Sequence, residues 1–180
     1  MNANIVVGDI VSLAKEGHFD VLIHGAHCFN YMGHGVADSI AKAFPLSFDA
    51  DMATAKGDKG KMGTYSYAVC ESDAGHPLVV INGYTQYNYG VPHYQSKAGF
   101  DYTSFDGLCQ RIHKRLGGRG LRFGYPLIGG DRGNAEHRKV LAIMERHFAA
   151  ENRTLVLYNE PGRKKKYAVS DFDFLLNEQT

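Results

Sequence analysis

The sequence predicts an α/β domain whose helices cover both faces of a mixed, mostly parallel sheet. Three observations carry this. Short β-branched runs alternate with segments of helical period, which is the pattern of strand and crossover helix. Two strand-to-helix junctions are rich in glycine. The chain has 180 residues, a length that suits one compact domain with an adequate core and no need of disulfide or metal staples.

Taken in order, Asn4 to Val7 and Asp20 to His24 are β-branched-rich runs closed by polar or glycine residues, and read as buried strands with a short helix or turn between them. From Val36 to Phe44 the apolar residues Val36, Ala37, Ile40, Ala41, Ala43 and Phe44 keep a helical period, which Pro45 ends because proline disfavours helix in the residue before it. Met52 to Met62 is polar with two glycines and reads as a loop. Thr64 to Cys70 and Leu78 to Asn82 supply two more strands around a Gly75-His76-Pro77 turn. Tyr84 to Gly99 is aromatic and aperiodic, a surface excursion whose tyrosines, Tyr84, Tyr87, Tyr89 and Tyr94, are suited to stack a base or cover a site. Tyr102, Phe105, Leu108, Cys109, Ile112 and Leu116 are helical again, and Gly117-Gly118 stops them. Leu121 to Ile128 is a strand, and the helix beyond Gly133 buries Val140, Leu141, Met144, His147 and Phe148. Arg153 to Tyr158 is the last strand. The domain is expected to span 1–160, with 161–180 as a C-terminal extension packed on it or trailing from it.

Charge narrows the partners. Lys and Arg number 20 against 19 Asp and Glu, a net +1, which removes the broad attraction that nucleic-acid and anionic-membrane binders carry. No apolar run approaches the roughly 18 residues that span a bilayer, and Met1-Asn2-Ala3-Asn4 does not open a signal peptide. The expectation is a soluble, cytoplasmic protein with no membrane or nucleic-acid partner. Cys28, Cys70 and Cys109 are widely separated and contain no Cys-x-x-Cys pair, so neither a disulfide framework nor a zinc ribbon is indicated. No metal or cofactor is expected.

Glycine is the excess, 21 residues in 180 against an average near 7%. Two clusters lie where a strand runs into a helix: Gly33-His34-Gly35-Val36 and Gly129-Gly130-Asp131-Arg132-Gly133. In open α/β sheets such turns lie beyond the carboxyl ends of strands, where backbone amides and a helix N-terminus bind phosphate. One such turn more often serves backbone geometry alone. Two can hold a diphosphate from opposite sides. Neither a third glycine at the dinucleotide spacing nor a Gly-Lys-Ser or Gly-Lys-Thr motif is present.

Gly8-Asp9-Ile10, then Val21-Leu22-Ile23-His24-Gly25-Ala26-His27-Cys28, then Met32-Gly33-His34-Gly35-Val36-Ala37 with the helix ending at Phe44-Pro45, resemble the opening of a macrodomain, the ADP-ribose-binding α/β/α module. Lys56 to Tyr65, Val80-Ile81-Asn82-Gly83-Tyr84-Thr85-Gln86, Pro126-Leu127-Ile128-Gly129 and Leu155-Val156-Leu157-Tyr158 follow in the family's order. The likeness covers residues 4 to about 160. It is nearest the branch of the yeast-type ADP-ribose 1''-phosphate phosphatase and the TARG-like hydrolases. The resemblance implies a three-layer α/β/α macrodomain-like fold and ADP-ribose or a derivative as ligand, with an ADP-ribosylated macromolecule as a further partner.

By the same resemblance, Asp9 accepts from the adenine amine and Ile10 flanks it. Gly33, His34, Gly35 and Val36 form the first diphosphate loop, and Gly129, Gly130, Asp131, Arg132 and Gly133 the second. Tyr158 and Asn159 pack the adenine and its ribose. His27 stands where many macrodomains carry an asparagine against the distal ribose. His24 matches a histidine proposed to act in the phosphatase branch. The hydrolases' lysine and aspartate are replaced by Gln86 and Gly133, which argues against their covalent lysine mechanism.

The expected activity is hydrolysis of a phosphate or ester-linked group from the distal ribose, with His24 as general acid and Asp131 positioning water. The alternatives are a non-catalytic reader of ADP-ribose or another NAD-derived nucleotide, and an unrelated nucleotide-processing enzyme. Residue by residue, a histidine at a strand end is equally a satisfied core residue, Cys28 reads as a small buried side chain, and Arg163-Lys164-Lys165-Lys166 reads as a solvated segment.

Overall fold

A computed structural model of the chain describes residues 3–88, 99–130, 135–162 and 166–175. The strands are β1 (Ala3–Val7), β2 (Val21–His27), β3 (Tyr65–Glu71), β4 (Pro77–Gln86), β5 (Arg122–Pro126) and β6 (Asn152–Leu157). They form one sheet in the order β1-β6-β5-β2-β4-β3. Every neighbouring pair is parallel except β3 with β4, which are joined by the turn before Pro77. The mixed, mostly parallel sheet is therefore as the sequence predicts.

The helices are α1 (Ile10–Lys15), α2 (Gly35–Ala43), α3 (Pro45–Met52), α4 (Tyr102–Leu116) and α5 (His137–Phe148). Alternation along the strands divides the core in two. Val21, Ile23, Ile81 and Phe123 face one way and pack with Phe105, Leu108 and Ile112 of α4 and Val140, Met144 and Phe148 of α5. Leu22, Leu78 and Val80 face the other way, against Ile10 and Ala14 of α1 and Ile40 of α2. Those are the three layers. Phe172 and Leu175, in a 3-10 turn over Val169–Leu175, are buried in the first cluster.

Caps explain the helix limits. Asp101 accepts from the Ser104 amide at 2.6 Å to start α4, and Asp9 accepts from the Val11 and Ser12 amides to start α1. Two boundaries differ from the sequence reading. Pro45 does stop α2, but it also opens α3, because the first helical position has no use for an N–H. The loop expected from Met52 contains a 3-10 turn over Lys59–Lys61, capped by Asp58. β4 continues past Asn82 because Gly83 pairs with Gly25 of β2 on one side and Tyr65 of β3 on the other. Tyr84 thus belongs to the sheet and is buried, not part of a surface excursion. Tyr89 and Tyr94 lie outside the described residues.

Candidate functional site

The parallel strands bring their carboxyl ends to one side of the sheet. The β2 end touches its neighbours on both flanks: a Cβ placed on Gly25 would lie 3.2 Å from Ile128, just beyond β5, and 3.2 Å from Thr85 on β4. Beside them, the Gly8 amide after β1 donates to the Leu157 carbonyl of β6 at 3.0 Å. Both glycine segments, Asp9 and Tyr158-Asn159 therefore leave the sheet on the side where open α/β folds bind ligands.

The first glycine segment opens α2. Gly35 has φ +59°, and a Cβ there would meet nothing within 4 Å. His34 before it is extended and makes no side-chain capping bond. The start of α2 thus has no side-chain cap and open space beside Gly35, an arrangement in which a helix N-terminus can take an anion. Gly33 is covered by the ring of Tyr31, whose hydroxyl lies 3.4 Å from His34 Nε2. Val36 packs at the edge of the α2 core. In the second segment Gly129 has φ +73°, and a Cβ on it would approach Phe100 to 2.4 Å and the Ala135 Cβ to 2.7 Å. Only glycine fits there. Gly130 follows, half-buried, its amide donating to Leu127 O at 3.3 Å. Asp131, Arg132 and Gly133 lie outside the described residues.

Asp9 is exposed and uses Oδ1 alone for both capping bonds, which leaves Oδ2 as a second acceptor. The Ile10 side chain is in the core, so only its backbone can meet a ligand. Tyr158 is exposed. Asn159 is committed elsewhere: its Nδ2 donates to Tyr167 O at 2.8 Å and its Oδ1 accepts from Tyr167 N at 2.7 Å. The side chain clamps the C-terminal segment, a structural role that the resemblance does not anticipate.

His24 is likewise placed where the sequence expectation of a general acid does not fit. It is 0% exposed. Its Nε2 lies 2.7 Å from Asn82 Oδ1 and its Nδ1 3.1 Å from Gly25 O. Asn82 donates its amide N–H groups to Ser47 O and Ser66 Oγ, so its oxygen is an acceptor; Gly25 O is one as well, and a neutral His24 ring donates to one of the two. Burial lowers the His24 pKa, with the Asn82 bond opposing. The ring is a neutral strut of the core. His27, at the end of β2, is 8% exposed and accepts from the Phe29 amide on Nδ1 at 3.2 Å, which puts the proton of the neutral ring on Nε2. Burial lowers its pKa as well.

The His24–Asn82 pair belongs to a buried polar network that sequence reasoning missed. Ser66 Oγ lies 2.9 Å from the Tyr84 hydroxyl, which donates to Asp51 Oδ1 at 2.7 Å. Burial pushes the Tyr84 pKa up to about 12. Asn30 donates to the Asp51 and Thr54 carbonyls and accepts from Lys61 Nζ at 2.6 Å. α3 is inverted: Ser47 and Asp51, four residues apart, face inward and are buried, while Leu46, Phe48 and Met52 are exposed. The available signal was that i,i+4 polar pair, which puts Ser47 and Asp51 on one face of a short helix. Among the described residues no group of three His, Cys, Asp or Glu side chains is placed to hold a metal ion, and no helix is long and apolar enough to cross a membrane.

This architecture recurs in solved structures. The macrodomain of Thermus aquaticus DarG superposes with a TM-score of 0.63 at 17% identity, over 88% of this chain and 98% of that one. The chain has the macrodomain fold. Thermosipho africanus DarTG in complex with ADP-ribose matches this chain with a TM-score of 0.66 at 17% identity, over 97% of this chain and 46% of its own. At these identities the likeness is one of fold. A protein of Enterobacteria phage T4, described as an uncharacterized 17.5 kDa protein in the tk-vs intergenic region, is 40% identical over 100 residues, 54% of this chain and 61% of the phage protein. The matched stretch is thus about three fifths of that relative. No protein-family model matches the chain.

Proposed function

We propose that this macrodomain binds ADP-ribose or a close derivative at the carboxyl ends of β1, β2, β5 and β6. The observation that carries the reading is the start of α2, which no side chain caps and where the space beside Gly35 is open. A diphosphate oxygen there gains charge-assisted hydrogen bonds and the helix dipole together. Asp9 Oδ2 supplies an acceptor for the adenine amine, and Tyr158 an exposed ring beside it. The ADP-ribose bound to Thermosipho africanus DarTG supports the choice of nucleotide. Calorimetric titration with ADP-ribose tests it: saturable binding that is lost in Gly35→Val is expected, and no heat at millimolar ligand removes the reading.

A second reading adds turnover of a phosphate or ester-linked group on the distal ribose. His27 favours it by its place, buried at the close of β2, with the Phe29 amide donating to its Nδ1. His27 would then orient the leaving oxygen and Asp131 the attacking water. Phosphate release from ADP-ribose 1''-phosphate is expected to fall in His27→Ala. ADP-ribose binding beside no phosphate release leaves the reader.

A further inference from the structure

Lys61 is a buried cation that the fold alone does not require. It is 7% exposed, and its Nζ donates to Cys28 O at 3.1 Å and Asn30 Oδ1 at 2.6 Å while lying 4.5 Å from the centre of the Tyr84 ring. Its bonds therefore go to two neutral oxygens and an aromatic face. Asp51 and Asp58 attract it at longer range, and burial is the larger effect, lowering its pKa. Burying an ammonium without a bonded carboxylate is costly, and an apolar chain of the same length would fill the space more cheaply. What Lys61 holds is the stretch that feeds the first glycine turn. Asn30 is in the left-handed region at φ 54°, and its amide N–H groups are tied to carbonyls at the end of α3. Lys61 closes the other side of that residue. Gly33 lies three residues on, a reach of at most about 11 Å.

We propose that Lys61 is a positioning residue for the anionic part of the ligand: it fixes the Cys28–Asn30 segment and lends the Gly33–Gly35 turn a positive potential that selects a nucleoside diphosphate over an uncharged nucleoside. This rests on the ADP-ribose reading above. One charge acting on a doubly charged diphosphate at a separation on the order of 10 Å, with an effective dielectric between protein surface and bulk water, would change affinity about tenfold.

The test compares ADP-ribose with adenosine on the full chain, by calorimetry and by NMR titration, in wild type, Lys61→Gln and Lys61→Arg. Lys61→Gln keeps a donor and removes the charge. It should weaken ADP-ribose about tenfold and adenosine less than twofold, and Lys61→Arg should restore most of the difference. Equal loss for both ligands means a purely structural lysine and overturns the proposal, as does no loss for either. Should Lys61→Gln melt below the assay temperature, the same ratio is followed with rising pH in a Cys28→Ala background. The groups facing Lys61 there are His27, Asp51, Asp58 and Tyr84. The preference for ADP-ribose should decline as Lys61 loses its proton, and a constant ratio to about pH 10.5 overturns the proposal. A wild type that binds no ADP-ribose removes the functional reading and this one with it, whereas binding with an unchanged ratio removes Lys61 alone.

Discussion

Alanine at Gly129 and alanine at Gly35 make the same chemical change at two left-handed positions, and the structure assigns them opposite consequences. At Gly129 the φ of +73° costs an L-residue about 1–2 kcal/mol. The added methyl would also stand 2.4 Å from the buried Phe100 ring and 2.7 Å from the Ala135 Cβ, and overpacking of that kind costs a further 1–3 kcal/mol or so. The sum is about 2–5 kcal/mol. At Gly35 the φ of +59° carries the same backbone cost, but nothing lies within 4 Å of the new methyl, so Gly35→Ala should lose only about 1–2 kcal/mol. That methyl instead enters the space where the α2 amides would meet a phosphate. Urea denaturation of the variants measures the first quantity and ADP-ribose calorimetry on the folded proteins the second. Gly129→Ala should be much the less stable, and Gly35→Ala should bind ADP-ribose at least tenfold more weakly. A Gly129→Ala loss below about 1 kcal/mol would refute the packing argument. Full ADP-ribose affinity in Gly35→Ala would refute the assignment of the anion site.

Three further outcomes follow from other parts of the fold. His24 has its folded pKa lowered by burial, so the unfolded chain binds its proton first; stability should fall as pH drops below about 6.5, with a slope approaching 1.4 kcal/mol per unit. His24→Gln should flatten that part of a melting-temperature profile, and an unchanged slope would show that another group carries it. Asp20 receives Arg122 through both carboxylate oxygens, and that guanidinium lowers its pKa; the stability it adds is complete above about pH 4 and fades as pH falls through the folded value. Because both side chains are partly exposed, Asp20→Asn should cost only about 1 kcal/mol at neutral pH by urea denaturation, and a loss above about 3 would contradict that screening. Asn159→Ala removes both bonds to Tyr167 and should speed amide exchange and proteolysis within 166–175 while sparing the sheet; equal protection would mean that Phe172 and Leu175 hold the segment unaided.

The strands and the glycine segments were legible in the sequence because each is a local signal. β2 opens on the apolar run Val21-Leu22-Ile23, and Gly33, Gly35 and Gly129 stand at strand-to-helix junctions. α3 was hidden because Pro45 is punctuation in either direction: it ends one helix and starts the next. The network beneath α3 was hidden for a physical reason as well. Lys61, Asn30 and Asp51 look like loop and surface residues one at a time, and only the fold brings their hydrogen bonds together across 31 and 21 positions of sequence. Asn159 shows the converse, since a motif position places it beside a nucleotide while its amide is taken by a partner eight residues later.

The edge strand β1 has β6 as its one neighbour in the sheet, with Ala3 opposite Arg153 and Val7 opposite Leu157. During synthesis β1 emerges from the ribosome first and its partner last, and pairing across so long a loop is among the slowest contacts to form. β2, β3 and β4 can assemble around Tyr84 well before then. Asp9 caps α1 immediately after β1, and the Gly8 amide is held by Leu157, so this end of the sheet is complete only when the C-terminal third has joined it. A nascent or truncated chain therefore holds the Gly35 turn before Asp9 and Tyr158 stand on adjacent strand ends.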